Sequence, residues 1–298
     1  MPMYLNVLKM QHISPWRLSP LFALAMCVAI IIRNYSLRFP LIILHSREED
    51  IDRPTSPLTL HDGILSAMDL KANGVAAVGL NVQSGRFALL TNCRYLSGLN
   101  PFGTSRGSFL TSILTHAVSD IPDVSFQGFF HLYFGTPFEK GLTYISNVDN
   151  VSTCLAVPSA PGLDVIVRSN EHPKTDDFFS LKKLTIEESL LNALKTNPDL
   201  PSVEEVANLI QSTLTSIDSS LPVPPDDESY SWSLLSEKNE KFVLSHFFIP
   251  PISVSDSHRF GTVSQTLIVS NSEQREVHYW YKAQPDWLWD KRVVHISN

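Results

Sequence analysis

A thiol and a block of charged residues lie at the ends of two neighbouring apolar segments. Cys27 precedes the apolar run 28–32, and the block Arg47, Glu48 and Glu49 follows the next apolar run, 39–44. An arginine near a thiol lowers its pKa because it favours the thiolate, and a carboxylate can orient that arginine. If the two runs are adjacent strands, these side chains meet at one sheet edge, where they form a nucleophile site or a ligand pocket.

The residues ahead of Cys27 decide whether it can use its own α-amine as a general base. Residues 1–25 are apolar and basic and contain no acidic residue, and an unbroken apolar run covers 21–32. That run is short of the roughly 20 residues that span a bilayer. We favour a dispensable extension ahead of a buried strand. An organelle presequence, a secretion signal and a membrane anchor remain open.

Composition narrows the class of protein. The chain has 298 residues, 43% of them hydrophobic, which suits one large domain or two small ones. The formal net charge is −7, and the acidic residues all follow Arg47. An acidic body argues against nucleic acid as a partner. Three widely spaced cysteines form neither a zinc pattern nor a disulfide framework, so we expect a reducing, cytoplasmic location and no bound metal.

Apolar periodicity and turn signals predict strand pairs on both sides of a helical block. The predicted strands are 26–32, 39–44, 74–82, 86–90, 129–134, 142–146, 242–248, 262–269 and 276–281. A short helix is predicted over 108–118, and capping boxes predict two more that begin near Thr185 and Ser202. This order predicts an α+β fold in which helices cover antiparallel sheet. We expect one domain over 26–298, after an extension over 1–25.

Several short motifs, in order and at matching spacing, resemble the transport and Golgi organisation protein 2 family, also called the NRDE family after its Asn-Arg-Asp-Glu signature. The matching stretches are Met26-Cys27, Ser46-Arg47-Glu48-Glu49, Arg53-Pro54, 85–94, Ser105-Arg106-Gly107 and, more weakly, Ser169-Asn170 and Phe260-Gly261-Thr262. Ser46 and Glu48 replace two signature residues, and Met68 replaces an arginine ahead of Asp69. The chain therefore resembles a divergent member.

The resemblance implies a fold and a site. The family is similar to N-terminal-nucleophile hydrolases, whose fold is a four-layer αββα sandwich of antiparallel sheets. It implies Cys27 as nucleophile, Arg47 as anchor of the thiolate and substrate, and Glu48 or Glu49 as the partner of that arginine. Asparagine side chains can donate to a developing oxyanion. The remaining candidates are Asn92 and Asn170 for that catalytic role, and Glu49, Arg53, Arg94 and Arg106 for binding.

Each candidate also has an alternative role. Cys27 is a nucleophile, an ordinary buried thiol or a ligand contact. Glu48 is one methylene longer than aspartate, which displaces a carboxylate from a tuned site by about 1 Å. Arg47 and Glu49 are catalytic, or they form an ion pair that pins a loop against Arg53. His45 is structural, or it is a ligand of haem iron or of another metal. The aromatic residues 279–281, Trp287 and Trp289 are edge and core residues or line a haem or acyl pocket.

Three functions follow as hypotheses. The first is a trafficking or carrier protein in Golgi and secretory organisation or in haem movement. It requires no cofactor, haem or lipid is the candidate cargo, and transient membrane association with Golgi or mitochondrion is expected. The second is a cysteine amidohydrolase that uses Cys27. The third, which rests on residues 17–33 alone, is a secreted or membrane-anchored protein.

Overall fold

Two antiparallel sheets and three helices are present among the residues that the computed structural model describes, which are 27–92, 106–116, 130–139, 141–148, 151–157, 161–170, 177–220, 247–255 and 258–297. The elements in chain order are β1 (Val28–Arg33), β2 (Leu41–Asp50), β3 (Thr59–His61), β4 (Ile64–Asp69), β5 (Gly74–Asn81), β6 (Phe87–Asn92), α1 (Arg106–Thr115), β7 (Phe130–Gly135), β8 (Leu142–Val148), β9 (Val151–Val157), β10 (Asp164–Arg168), α2 (Asp177–Thr196), α3 (Val203–Ser220), β11 (Ile252–Ser255), β12 (His258–Asn271), β13 (Glu276–Ala283) and β14 (Asp290–His295).

The first sheet has the order β10-β1-β2-β12-β13-β14, and β11 pairs with β12. Strand β1 reads Val-Ala-Ile-Ile-Ile-Arg and is buried along its whole length. Branched apolar residues on both faces are typical of a strand that is covered on both sides. This burial places β1 and β2 at the centre of the molecule, where β1 pairs with β2 and β10.

The second sheet is a meander in which β3 to β9 follow one another in sequence order. Asp62 and Gly63 join β3 to β4 with positive φ angles of 48° and 77°. Two consecutive residues with positive φ make the tight turn that matches the twist of a hairpin, and Asp-Gly is a favoured sequence for it. Strand β4 follows this turn and ends at Asp69, whose side chain contacts Arg47 of the first sheet.

Helices cover the outer face of each sheet. Apolar residues of α2 and α3 pack on the first sheet, and those of α1 pack on the second. A third cluster fills the space between the sheets. Helix α1 begins in direct contact with β5, since a Cβ atom on Gly74 would lie 2.4 Å from the carbonyl carbon of Gly107. The predicted α+β fold and its αββα layering are confirmed.

Most predicted elements are present. The strand pairs β1–β2, β5–β6 and β7–β8 are confirmed, as are β12 and β13. Helix α1 buries the four predicted residues Phe109, Leu110, Ile113 and Leu114. Helix α3 starts as predicted, with the Ser202 hydroxyl accepting the Glu205 N–H at 3.2 Å.

Other predictions were wrong or incomplete. Strand β2 continues to Asp50, so the block 47–49 lies inside the strand and not beyond it. Helix α2 begins at Asp177, eight residues before Thr185, whose capping box therefore lies inside the helix. Phe247 and Phe248 are not in a strand, while 242–246 lie outside the described residues. The sequence patterns also missed β3, β4, β9, β10, β11 and β14.

Only the end of the apolar run 21–32 belongs to the described residues. Its last five residues lie in β1, whereas residues 1–26 lie outside the described part of the chain. Among the helices that the structure describes, none is both long and apolar enough to cross a membrane. The division of the chain into 1–25 and 26–298 stays a prediction.

Candidate functional site

Cys27 directly precedes β1, between two paired strands. Val28 pairs with Ser46 of β2, so the same register continued by one residue sets Cys27 beside Arg47. On the other side Ala29 pairs with Arg168 of β10, and the register continued by two residues sets Cys27 beside Asn170. The backbone therefore brings these three predicted residues to one end of the first sheet.

The Cys27 thiol is held in its protonated form. Its side chain is buried, and Sγ donates a weak hydrogen bond to the Glu48 carbonyl oxygen at 3.8 Å. Burial, and next the charge of Glu48, raise the pKa of Cys27 to about 12, although the Glu48 backbone contact and Arg47 oppose the shift. The thiolate is the nucleophilic form of cysteine, so this environment favours the ordinary buried thiol.

Successive residues of β2 face opposite layers, as side chains of a strand do. Ile43 packs between the sheets, whereas Ile42 and Leu44 pack under α2 and α3. The same alternation directs Arg47 towards the second sheet and Glu48 towards the helices, as their contacts show.

On the inter-sheet side, Arg47, Glu49, Arg53 and Asp69 form what we call the ion network. Asp69 Oδ2 accepts hydrogen bonds from Arg47 Nη2 at 2.9 Å and from Arg53 Nε at 2.6 Å. Glu49 Oε2 lies 3.6 Å from Arg47 Nη2 and 3.7 Å from Arg53 Nε. Arg47 Nη1 donates to Thr55 Oγ1 at 3.0 Å. The network ties β2 to the end of β4 and confirms the hypothesis of an ion pair with Arg53.

Asp69 is the centre of the ion network, and it was not among the predicted site residues. Burial on its own would raise the pKa of Asp69, but hydrogen bonds from Arg53 and the Ala72 N–H, together with the charge of Arg47, hold that pKa below its ordinary value. Asp69 therefore stays ionised between two guanidinium groups. The one sequence signal for it was its position in the retained part of a family motif.

On the helix side, Glu48 and Lys182 are both buried and lie close enough to interact electrostatically, without a direct ion-pair contact between them; we call them the buried pair. Glu48 Oε1 accepts a hydrogen bond from Thr262 Oγ1 at 3.4 Å, and Thr262 Oγ1 accepts one from the Ile249 N–H at 2.9 Å. Glu48 Oε2 and Lys182 Nζ are buried without a hydrogen-bond partner among the described residues.

Burial dominates the titration of both members of the buried pair. It raises the pKa of Glu48, and the nearby charge of Lys182 opposes that shift. It lowers the pKa of Lys182, and the charges of Glu48, Asp218 and Cys27 oppose that shift. Lys182 lies in the part of α2 that precedes the predicted helix start, so no sequence pattern directed attention to it.

His45 lies on the inter-sheet side beside the ion network. Its Nε2 atom is buried without a partner among the described residues. Burial, and next the charge of Arg47, lower the pKa of His45 to about 3, so the ring is neutral at physiological pH. Within the described ranges, no group of three or more His, Cys, Asp or Glu side chains is arranged to hold a metal ion.

A hydrogen bond joins the two residues that precede the predicted oxyanion donors Asn92 and Asn170. Asn92 ends β6 and Asn170 lies just after β10, and Thr91 Oγ1 donates to the Ser169 carbonyl oxygen at 3.3 Å. Asn170 is buried, and its Oδ1 has no partner among the described residues. Asn170 therefore lies at the same end of the first sheet as Cys27, and the residue before Asn92 is hydrogen-bonded to the residue before Asn170.

The other two predicted binding residues are Arg106 and Arg94. Arg106 is the first residue of α1, on the outer face of the second sheet, and Arg94 lies outside the described residues. The aromatic residues 279–281 are buried in the core, as one of the two alternatives predicted.

Two solved structures are similar to the chain over most of its length. A mutant of conjugated bile acid hydrolase from Clostridium perfringens shares 10% sequence identity, and the similarity covers 92% of this chain and 94% of that one with a TM-score of 0.39. A second variant of that hydrolase shares 8% identity over 91% and 94% of the two chains, with a TM-score of 0.43.

Comparison with known families agrees with the motifs in the sequence. No curated protein gives a significant match. The model of the Transport and Golgi organisation 2 family matches residues 26–283, which is most of the chain. That span includes β1, β2, the ion network and the buried pair. The chain therefore belongs to the Transport and Golgi organisation 2 family.

Proposed function

We propose that this protein is a non-catalytic trafficking or carrier protein that serves Golgi and secretory organisation or intracellular haem movement. Membership of the Transport and Golgi organisation 2 family supports the general role. We place it in the cytoplasm, with transient association with Golgi or mitochondrial membranes.

The state of Cys27 is the observation that carries the non-catalytic part of the proposal. A cysteine nucleophile needs a base or a cation that makes its thiolate accessible. Here burial raises the pKa of Cys27 to about 12. The guanidinium of Arg47, which should favour the thiolate, is instead committed to Asp69, Glu49 and Thr55. The remaining influence of Arg47 does not offset burial.

Replacement of the thiol in cells tests this proposal. Cells that lack the protein receive the natural chain, Cys27→Ser, or Cys154→Ser as a control at an exposed free cysteine. We expect all three to restore protein secretion and haem distribution equally. If Cys27→Ser is present at normal level but restores neither, a role without the thiol is excluded. If loss of the protein changes neither readout, the trafficking role itself is wrong.

A cysteine amidohydrolase is the second candidate, and the strand register favours it. Cys27 stands between Arg47 and Asn170, so a nucleophile, a cation and an amide donor share one sheet end. Catalysis would further require a free amine on Cys27, and hence loss of residues 1–26.

Sequencing the N-terminus of the protein isolated from cells tests this second candidate. It predicts a chain that begins at Cys27 and an amide or thioester turnover that Cys27→Ala abolishes. Active protein that still begins at Met1 would exclude the mechanism.

A further inference from the structure

A cavity of about 420 Å³ opens at the end of β1 that is remote from Cys27. We call it the distal cavity. The turn between β1 and β2, the turn between β7 and β8, and Ser272 after β12 surround it. Six residues of β1 separate Cys27 from this end, which is roughly 20 Å at the usual rise of a strand. A ligand in the distal cavity would therefore be held apart from the thiol.

The walls of the distal cavity are mainly apolar and belong to the core. Leu41, Leu142 and Phe138 line it and pack in the cluster between the two sheets. Leu37 lies at the same place and is 96% exposed. Its volume and apolar lining, with a few polar groups, match pockets that bind small molecules.

The turn that forms one wall is fixed by hydrogen bonds. The Asn34 N–H donates to the Pro40 carbonyl at 2.8 Å, and the Ser272 N–H donates to the Arg38 carbonyl at 2.8 Å. These bonds are independent of any ligand, so the distal cavity is preformed. Preformed sites bind with a smaller loss of conformational entropy.

The charges around the distal cavity balance one another, because the Arg275 guanidinium lies over the Phe138 ring at 4.9 Å from its centroid and offsets the charge of Glu139. Arg33 is already satisfied, because its Nε donates to Asp164 Oδ2 at 2.8 Å and its Nη1 donates to the Val157 carbonyl at 3.2 Å. Glu139 also lines the cavity, is exposed, and has no ion pair within the described part of the chain. The Ser36 hydroxyl accepts the Phe39 N–H at 3.0 Å and keeps its own proton to donate. A neutral polar group suits this lining.

The lining also lacks the residue types that would hold haem iron. Side chains that ligate haem iron are histidine, cysteine, methionine and tyrosine, and none of these is among the described residues that line the distal cavity. A haem would also bring two carboxylates towards Glu139.

We infer that the distal cavity binds the hydrocarbon part of an uncharged amphipathic molecule, of the class of fatty alcohols and monoacylglycerols. This inference rests on the proposed carrier role, and it names an uncharged lipid, not haem, as the cargo of this cavity. The apolar tail lies against the inter-sheet core, and its hydroxyl group lies at the rim beside Ser36 and Glu139.

Equilibrium binding to the purified full chain tests the ligand class, with dodecanol, dodecanoate and haemin as probes. We expect dodecanol to bind at least tenfold more tightly than dodecanoate. Glu139→Lys should reverse that preference at least in part, by tightening dodecanoate fivefold or more. Glu188→Lys, the same charge change at an exposed site on α2, should change neither affinity. Absence of dodecanol binding, or a preference that Glu139→Lys leaves unaltered, would overturn the inference.

Photo-crosslinking with a diazirine derivative of dodecanol tests the location. Labels should fall on residues 33–41 and 138–142, and labels confined to the Cys27 end would overturn the assignment. These results are independent of the cellular readouts. If dodecanol labels the distal cavity but loss of the protein leaves secretion and haem distribution unaltered, the proposed function fails and the binding site stands.

Discussion

The inter-sheet face and the helix-side face of β2 both bury charged residues, but they treat the charges differently. On the inter-sheet face, Arg47 has a hydrogen-bonded carboxylate partner, and Asp69 has two guanidinium partners. On the helix-side face, Glu48 Oε2 and Lys182 Nζ lack a hydrogen-bond partner within the described region. The two arrangements alternate along one strand, only one residue apart.

The ion network therefore stabilises the fold, whereas the buried pair lowers its stability. Removal of one partner from a buried ion pair strongly destabilises the protein, because the other charge is left buried and uncompensated. A buried pair with unmet hydrogen bonds, in contrast, often gives the protein no more stability than apolar residues of the same size would. The ion network should therefore be sensitive to single substitutions. The buried pair should tolerate replacement of both its members, and a function unrelated to stability would explain its presence.

Removal of Asp69 should have the largest effect. Asp69→Ala leaves Arg47 buried without its principal partner, so we expect the free energy of unfolding to fall by about 3–5 kcal/mol. Urea denaturation at neutral pH measures it. Asp52→Ala is the control, because Asp52 pairs with Arg259 where both side chains are more than half exposed. That variant should lose no more than about 1 kcal/mol. Equal losses would remove the distinction between buried and exposed pairs.

His45 lies on the inter-sheet face without a charged partner, and it is therefore neutral in the folded protein. Its pKa is about 3 in the folded chain and about 6.5 in model peptides. Between these values the unfolded chain binds one more proton, so this contribution to stability is complete above pH 6.5 and is lost as the pH falls towards 3. The slope from this group is about 1.4 kcal/mol per pH unit.

His45→Gln should remove that slope from the pH dependence of unfolding, measured with urea between pH 4 and 7. The exposed His61 provides the matched control, and His61→Gln should keep the slope of the natural chain. An unaltered slope in His45→Gln would show that His45 is already charged in the folded protein.

Replacement of the whole buried pair should have the smallest effect. We expect Glu48→Met with Lys182→Met to change the free energy of unfolding by less than about 2 kcal/mol, because apolar residues of similar size replace two buried titratable groups. Thermal and urea unfolding measure the change. A loss of more than about 2 kcal/mol would mean that the pair stabilises the fold as a true ion pair and that the two faces of β2 are alike.

Part of the site was predictable because it depends on local patterns. Two apolar runs joined by a short polar segment predicted the pairing of β1 and β2, and this pairing alone brings Cys27 close to Arg47. The residues that satisfy or oppose these charges were harder to find. Asp69 ends a hairpin whose Asp62-Gly63 turn signal was overlooked, and the apolar residues of β4 do not alternate regularly.

Lys182 was missed for a different reason. A capping box at Thr185 is a genuine helix-start pattern, but tertiary packing extends α2 to Asp177 and places the box inside the helix. No periodicity in the sequence specifies which buried lysine will face a glutamate on another element. The contact depends on how α2 lies across the first sheet, which is a property of the whole fold.

The turn between β1 and β2 has a consequence for how relatives of this chain should be aligned. The register that pairs Val28 with Ser46 is held by the buried faces of both strands and by their pairing with β10 and β12. A slip of that register by one residue would reverse every side chain of β2, moving Arg47 under the helices and Glu48 between the sheets. A change in chain length is therefore best absorbed within the turn, near the exposed Leu37. Gaps in an alignment belong in this turn and not within either strand.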